Sequence, residues 1–223
     1  MINGIRFKVC GLTSQTDAVL ADGIGADYLG FIFYPKSPRY ISVESYRAMK
    51  AHMPLKPKVA VMVEPKSEEL EAIRLLGFDY FQFHFPHTTP LATIESWART
   101  VTPEKLWLAP RVPPGGELEP ALYALAGTLL FDTYRAGAYG GTGHVGDWPA
   151  FKRLSREYPR INWILAGGLT PGNVVQALTE TGAKIIDVNS GVESVPGIKS
   201  AEKLKRLAEE LGGYKAAITR PPF

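Results

Sequence analysis

The chain has 223 residues, 45% of them hydrophobic and 21% charged, a composition that fits a packed globular protein and excludes disorder. Its 25 Lys and Arg against 22 Asp and Glu leave a net charge of +3 with no run of five like charges, which argues against a nucleic-acid footprint or a polybasic membrane anchor. One cysteine rules out an internal disulfide and a thiolate metal cage, and suits a reducing cytoplasm.

Met1 to Cys10 holds no apolar signal core and no 18-residue apolar span follows, so neither export by a secretory signal nor membrane insertion is expected. Short apolar or alternating runs rich in β-branched and aromatic residues predict strands at Ile5–Cys10, Tyr28–Phe33, Lys58–Val63, Tyr80–His84, Lys105–Ala109, Thr128–Asp132, Asn162–Ala166 and Lys184–Val188. Helical spacing fills the intervals at Ser14–Ile24, Val43–Met53, Ser67–Leu76, Leu91–Arg99, Leu118–Leu125, Pro149–Glu157, Pro171–Glu180 and Ala201–Leu211. Ser67 before two glutamates, Thr170 before Pro171, and Ser200 before Ala201-Glu202 read as helix starts. Gly25, Gly77 and Gly182 read as left-handed helix ends.

Strand followed by helix, eight times, predicts parallel strands with crossover helices closed into a (β/α)8 TIM barrel. About 200–250 residues is the usual size of such a barrel, so residues 1–218 read as one domain, with 219–223 as a C-terminal tail. The Pro/Gly-rich stretch Pro110–Gly116 reads as a loop inside the fifth unit, whose helix is short and flanked by prolines.

In a barrel of this kind chemistry sits where the strands end, and phosphate often binds after strands seven and eight. The strand-seven exit reads Gly167-Gly168-Leu169-Thr170 and the strand-eight exit Asn189-Ser190-Gly191. Glycine lets backbone N–H groups approach a dianion, and a helix N-terminus adds positive potential, so Gly167, Gly168, Ser190 and Gly191 are candidate phosphate donors. Each pair alone would be an ordinary tight turn; two pairs on the two expected loops favour a phosphate site.

Four other residues reach the same rim. Cys10 ends strand one; free cysteines are usually small buried hydrophobes, but a thiolate beside substrate can serve as a general base. Asp132 ends strand six, where a partly dry carboxyl can act as a general acid or simply cap a helix or pair with a cation. Arg39, on the loop after strand two, can bind a carboxylate through its planar fork or lie solvated at the surface. His84 ends strand four and either orients substrate or is a satisfied strand-end histidine. Gly140-Gly141-Thr142-Gly143 supplies either a loop closing over substrate, further phosphate donors, or a linker.

Together these pieces resemble the phosphoribosylanthranilate isomerases over nearly the whole chain. The resemblance runs from Lys8-Val9-Cys10-Gly11-Leu12-Thr13 through Gly30-Phe31-Ile32-Phe33-Tyr34-Pro35-Lys36-Ser37 and Arg39-Tyr40-Ile41-Ser42 to Asp187-Val188-Asn189-Ser190-Gly191-Val192-Glu193 and Pro196-Gly197. It implies an Amadori rearrangement of N-(5-phosphoribosyl)anthranilate, with Cys10 as general base and Asp132 as general acid. It places Arg39 near the anthranilate carboxylate, His84, Gly141 and Gly143 among the substrate contacts, and phosphate at the glycine turns. It implies no metal and no organic cofactor, a phosphosugar as the partner molecule, no nucleic acid or membrane, and a monomer or homodimer in the cytoplasm.

The chain departs from the family pattern at Phe85, at Ala109 where a lysine is common, at His144, at Asn189 and at Ser200. A histidine-pathway isomerase would carry aspartate at the Cys10 position, so cysteine favours the tryptophan reaction. A phosphosugar-binding barrel without turnover is the remaining alternative, disfavoured by Cys10, Arg39 and Asp132 occurring together.

Overall fold

The structure is a computed structural model that describes residues 1–113, 118–132 and 147–215. In chain order the elements are β1 (Arg6–Val9), α1 (Gln15–Gly23), β2 (Tyr28–Ile32), α2 (Val43–Lys50), β3 (Lys58–Val63), α3 (Ser67–Arg74), β4 (Tyr80–Pro86) and α4 (Leu91–Val101). There follow β5 (Leu106–Arg111), α5 (Leu122–Leu125), β6 (Thr128–Phe131), α6 (Trp148–Glu157), β7 (Asn162–Leu165), α7 (Val174–Thr181), β8 (Ile185–Val188), the hairpin β9 (Glu193–Val195) and β10 (Ile198–Lys199), and α8 (Ala201–Gly213).

Strands β1 to β8 pair in parallel and in sequence order, and β8 returns to β1 through Arg6↔Ile185, Phe7↔Ile186, Lys8↔Asp187 and Val9↔Val188. The closed eight-stranded barrel expected from the sequence is therefore present. Period-two alternation splits the apolar residues into two cores. Phe7, Val9, Phe81, Phe83, Ile186 and Val188 point outward and pack under the helices. Cys10, Tyr28, Val59, Val61, Trp107, Ala109, Leu130, Ile164 and Ile185 fill the lumen. A T-shaped contact of Tyr28 with Trp107, ring centroids 5.1 Å apart, plugs the end where the strands begin.

Several local expectations are corrected. Ser67 is inside α3, not its cap: Lys66 occupies that position and its N–H donates to the Glu69 carboxylate, so the acidic side chain does the capping. Thr170-Pro171 does not open α7. Its hydroxyl accepts from the Gly172 N–H and its own N–H donates to Asn173 Oδ1, making a turn that delays the helix to Val174. The fifth helix shrinks to a single turn, Leu122–Leu125, as its proline-flanked sequence allows. Ser200 does cap α8, accepting from the Lys203 N–H, and Gly25, Gly77 and Gly182 are all left-handed. The hairpin β9–β10 was not anticipated; a left-handed Gly197 turns it back on itself.

Candidate active site

At the C-terminal end of the barrel a solvent-connected cavity is lined by Cys10, Arg39, His84, Asp132, Gly167, Gly168 and Ser190. Seven of the ten candidate residues thus meet in one place. Gly141 and Gly143 lie outside the described residues, as do His144 and the 219–223 tail. Gly191 does not line the cavity; a Cβ there would drive into the Leu169 carbonyl, so this glycine lets the β8 turn pack against the β7 turn.

Alternation along each strand delivers the side chains. On β1 the lumen-facing sequence is Lys8 then Cys10, on β4 it is Gln82 then His84, and on β8 it is Ile185 then Asp187. The cavity therefore also contains Gln82, Asp187 and Asn189, none of which sequence reasoning had selected. The signal was available in the same period of two, since each of Gln82 and Asp187 shares a strand face with the cavity. Gln82 Oε1 and Asp187 Oδ1 are buried acceptors without a hydrogen-bond partner among the described residues.

Cys10 is 4% exposed, and burial pushes its thiol up from the ordinary range while the Lys8 charge opposes that rise. Lys8 is fully buried and donates to Asp187 Oδ2 at 2.8 Å. Burial works against its charge, but Asp187 and the thiol outweigh burial and hold the ammonium above its usual pKa.

Arg39 is buried and not solvated at the surface. Its N–H donates to Ser37 Oγ, and its Nε and Nη2 each donate to Glu193 at 2.8 Å in a bidentate pair. Lys199 Nζ donates to the same carboxylate at 2.8 Å and to Asn189 Oδ1 at 2.9 Å. Burial pushes the Glu193 carboxyl up, but the two cations outweigh it and keep the group below the usual carboxylate range. The hairpin thus fixes the guanidinium at the cavity wall, with part of its donor set already engaged.

His84 is not protonated at neutral pH. Burial, with Lys8 and Arg111 nearby, pulls its pKa down to about 3. Its Nε2 lies 2.8 Å from Gln82 Nε2, which can only donate, so the imidazole accepts there and carries its proton on Nδ1. Arg111, at the end of β5, is a cation that sequence reasoning passed over when it noted the missing lysine near Ala109.

On the phosphate side, Gly167 and Gly168 take φ of +86° and +63°, conformations side-chain-bearing residues rarely adopt. Asn173 Nδ2 donates to the Gly168 carbonyl at 2.9 Å and clamps the turn. Because β7 and β8 stand between β6 and β1 in the barrel, both turns fall between Asp132 and Cys10. Among the described residues no cluster of metal-ligating side chains occurs.

The departure residues separate by face. Phe85 is fully buried on the outward face of β4, 5.6 Å from the Trp97 ring, and does not reach the cavity. Asn189 does reach it, tied to Lys199.

Comparison with known proteins gives the same frame. The family model described as N-(5'phosphoribosyl)anthranilate (PRA) isomerase matches residues 7–210. An N-(5'-phosphoribosyl)anthranilate isomerase of Pseudomonas putida (strain W619) is 40% identical over 210 residues, covering 92% of this chain and 96% of that protein. A solved phosphoribosyl anthranilate isomerase in complex with reduced 1-(o-carboxyphenylamino)-1-deoxyribulose 5-phosphate superposes with a TM-score of 0.75 at 30% identity, over 94% of this chain and 99% of the other. Monomers generated from the dimeric Thermotoga maritima enzyme give a TM-score of 0.71 at 30% identity, over 94% and 99% of the two chains. With this barrel, this cavity and these relatives, the chain belongs to the N-(5'-phosphoribosyl)anthranilate isomerase family.

Proposed function

We propose that this chain isomerises N-(5-phosphoribosyl)anthranilate to 1-(2-carboxyphenylamino)-1-deoxyribulose 5-phosphate, the aldose–ketose step of tryptophan biosynthesis. The observation that carries the residue roles is the joint lining of one cavity by Cys10 and Asp132, with the β7 and β8 turns between them. Asp132 protonates the furanose ring oxygen as the ring opens to a Schiff base. The cationic nitrogen acidifies the C2′ proton, which the Cys10 thiolate removes, leaving an enolamine that tautomerises to the ketone.

The 5-phosphate is held at Gly167, Gly168 and Ser190, mainly by backbone N–H groups. Arg39, fixed by Glu193, meets the anthranilate carboxylate. His84, as a neutral Nδ1–H imidazole, orients the sugar, and Gly141 and Gly143 complete the substrate contacts. The unit that does this is one barrel, residues 1–218, working in the cytoplasm as a monomer or homodimer; among the described residues no helix is long and apolar enough to cross a membrane.

The test follows anthranilate-type fluorescence as purified protein consumes freshly generated phosphoribosylanthranilate. Cys10→Ser and Asp132→Asn should each lower kcat by about 10²-fold or more with KM changed only modestly, because the lost interactions belong to proton transfer. Near-wild-type kcat in Cys10→Ser would reduce the thiol to a packing residue.

A further inference from the structure

Two charged side chains lie beneath the thiol without a part in the acid–base steps. Lys8 is fully buried on the inward face of β1, and Asp187, its partner at 2.8 Å, faces it across the seam where β8 closes on β1. A barrel lumen needs no ions at this level: Val59, Val61 and Ile164 fill the equivalent space from other strands. An ammonium buried here carries a desolvation cost that its single carboxylate partner offsets only in part.

β2 makes room for it. Gly30 has no side chain, and a Cβ at that position would stand 2.7 Å from Lys8 Cε and 3.1 Å from both Cα and Sγ of Cys10. The lysine stem and the thiol therefore share one slot against the same glycine.

We propose that Lys8 is a positioning residue that stabilises the thiolate form of Cys10 as it arises, with Asp187 keeping the lysine charged and aimed. The inference rests on the reading of Cys10 as the base. In the reaction the thiolate takes the C2′ proton and becomes a thiol, while Lys8 stays an ammonium and neither donates nor receives a proton. The other charged or titratable groups around this pair are Lys199 on β10, which bears on Cys10, His84 on β4, which faces Lys8 and is flanked by Arg111 of β5, and Asp132 across the cavity. Burial raises the thiol and Lys8 is the strongest influence drawing it back, so removal of the lysine has a defined direction.

Cys10 is the sole cysteine of the chain, so alkylation by iodoacetamide, read by mass spectrometry, reports that thiol alone. The rate is measured against pH in the wild type and in Lys8→Met, which keeps the stem and removes the charge. The midpoint should rise by about one pH unit or more, the scale of an opposite charge a few ångströms away. At neutral pH kcat should fall with KM within a few fold. A folded Lys8→Met protein whose thiol titrates as in the wild type overturns the proposal.

Lys8→Met also strands Asp187, so the neutral pair Lys8→Met/Asp187→Asn is measured beside it. An upward midpoint supports the proposal there too, and an unchanged or lower one overturns it. The readout is independent of turnover. If Cys10→Ser keeps its kcat while Lys8→Met raises the midpoint, the assignment of the base fails and the hold of Lys8 on the thiol stands. If Cys10→Ser is inactive and the midpoint does not move, the base stands and this proposal fails.

Discussion

His84 illustrates how one residue carries the state of the site. Its pKa is about 3 in the folded chain against 6.5 ordinarily, so between those values the unfolded chain binds a proton that the folded chain refuses. Stability from this group is present above pH 6.5 and is lost as pH falls below it, at up to about 1.4 kcal/mol per pH unit. Replacing His84 by Gln should flatten that slope between pH 6.5 and about 5, above the range where most carboxylates titrate. Urea unfolding at several pH values in the two proteins checks it; equal slopes would mean that another group carries the linkage. From sequence, His84 was expected to end its strand, but β4 runs on to Pro86, and its charge could not be read, because burial and the cations Lys8 and Arg111 come from other strands. The same holds for Phe85, whose outward face separates it from the site one residue away.

Among the elements, the β9–β10 hairpin does work that no helix of the barrel does. It carries Glu193 and Lys199, and through Glu193 it grips an arginine 154 positions earlier in the chain. Glu193→Ala would leave Arg39 and Lys199 buried without their counterion, a change expected to cost about 3–5 kcal/mol. Thermal or denaturant unfolding measures it, and a loss below about 1 kcal/mol would show the pair to be no better than a surface one. Glu193 stood in the sequence within a recognised motif, yet nothing local marked it as the partner of Arg39. Element types were legible from periodicity, while helix starts such as Thr170-Pro171 were not. There a hydrogen bond from the Thr170 N–H to the Asn173 side chain outcompetes the helix, and propensity alone does not contain that bond.

At the scale of the whole molecule, closure of β8 onto β1 joins Lys8 to Asp187 across 179 positions and sets the β7 and β8 turns between Asp132 and Cys10. The proposed phosphate site is a product of that closure. Gly168→Val places a β-branched side chain at φ +63°, which that residue type resists, and should open the turn. KM for the phosphorylated substrate should then rise about tenfold or more with kcat less affected, since binding and not proton transfer is disturbed. Steady-state kinetics on the folded variant decides it, and an unchanged KM moves the phosphate elsewhere.

The sequence by itself determined the strand and helix periods, the barrel they close into, the strand-end positions of Cys10 and Asp132, and the family resemblance. These are legible because alternation, glycine turns and short motifs are properties of neighbouring residues. Only the tertiary structure decided that Arg39 is held by Glu193, that His84 is neutral, and that Lys8 and Asp187 lie against the thiol. Each depends on groups from separate strands meeting where water is excluded, and both pairing and desolvation arise only when the barrel has closed.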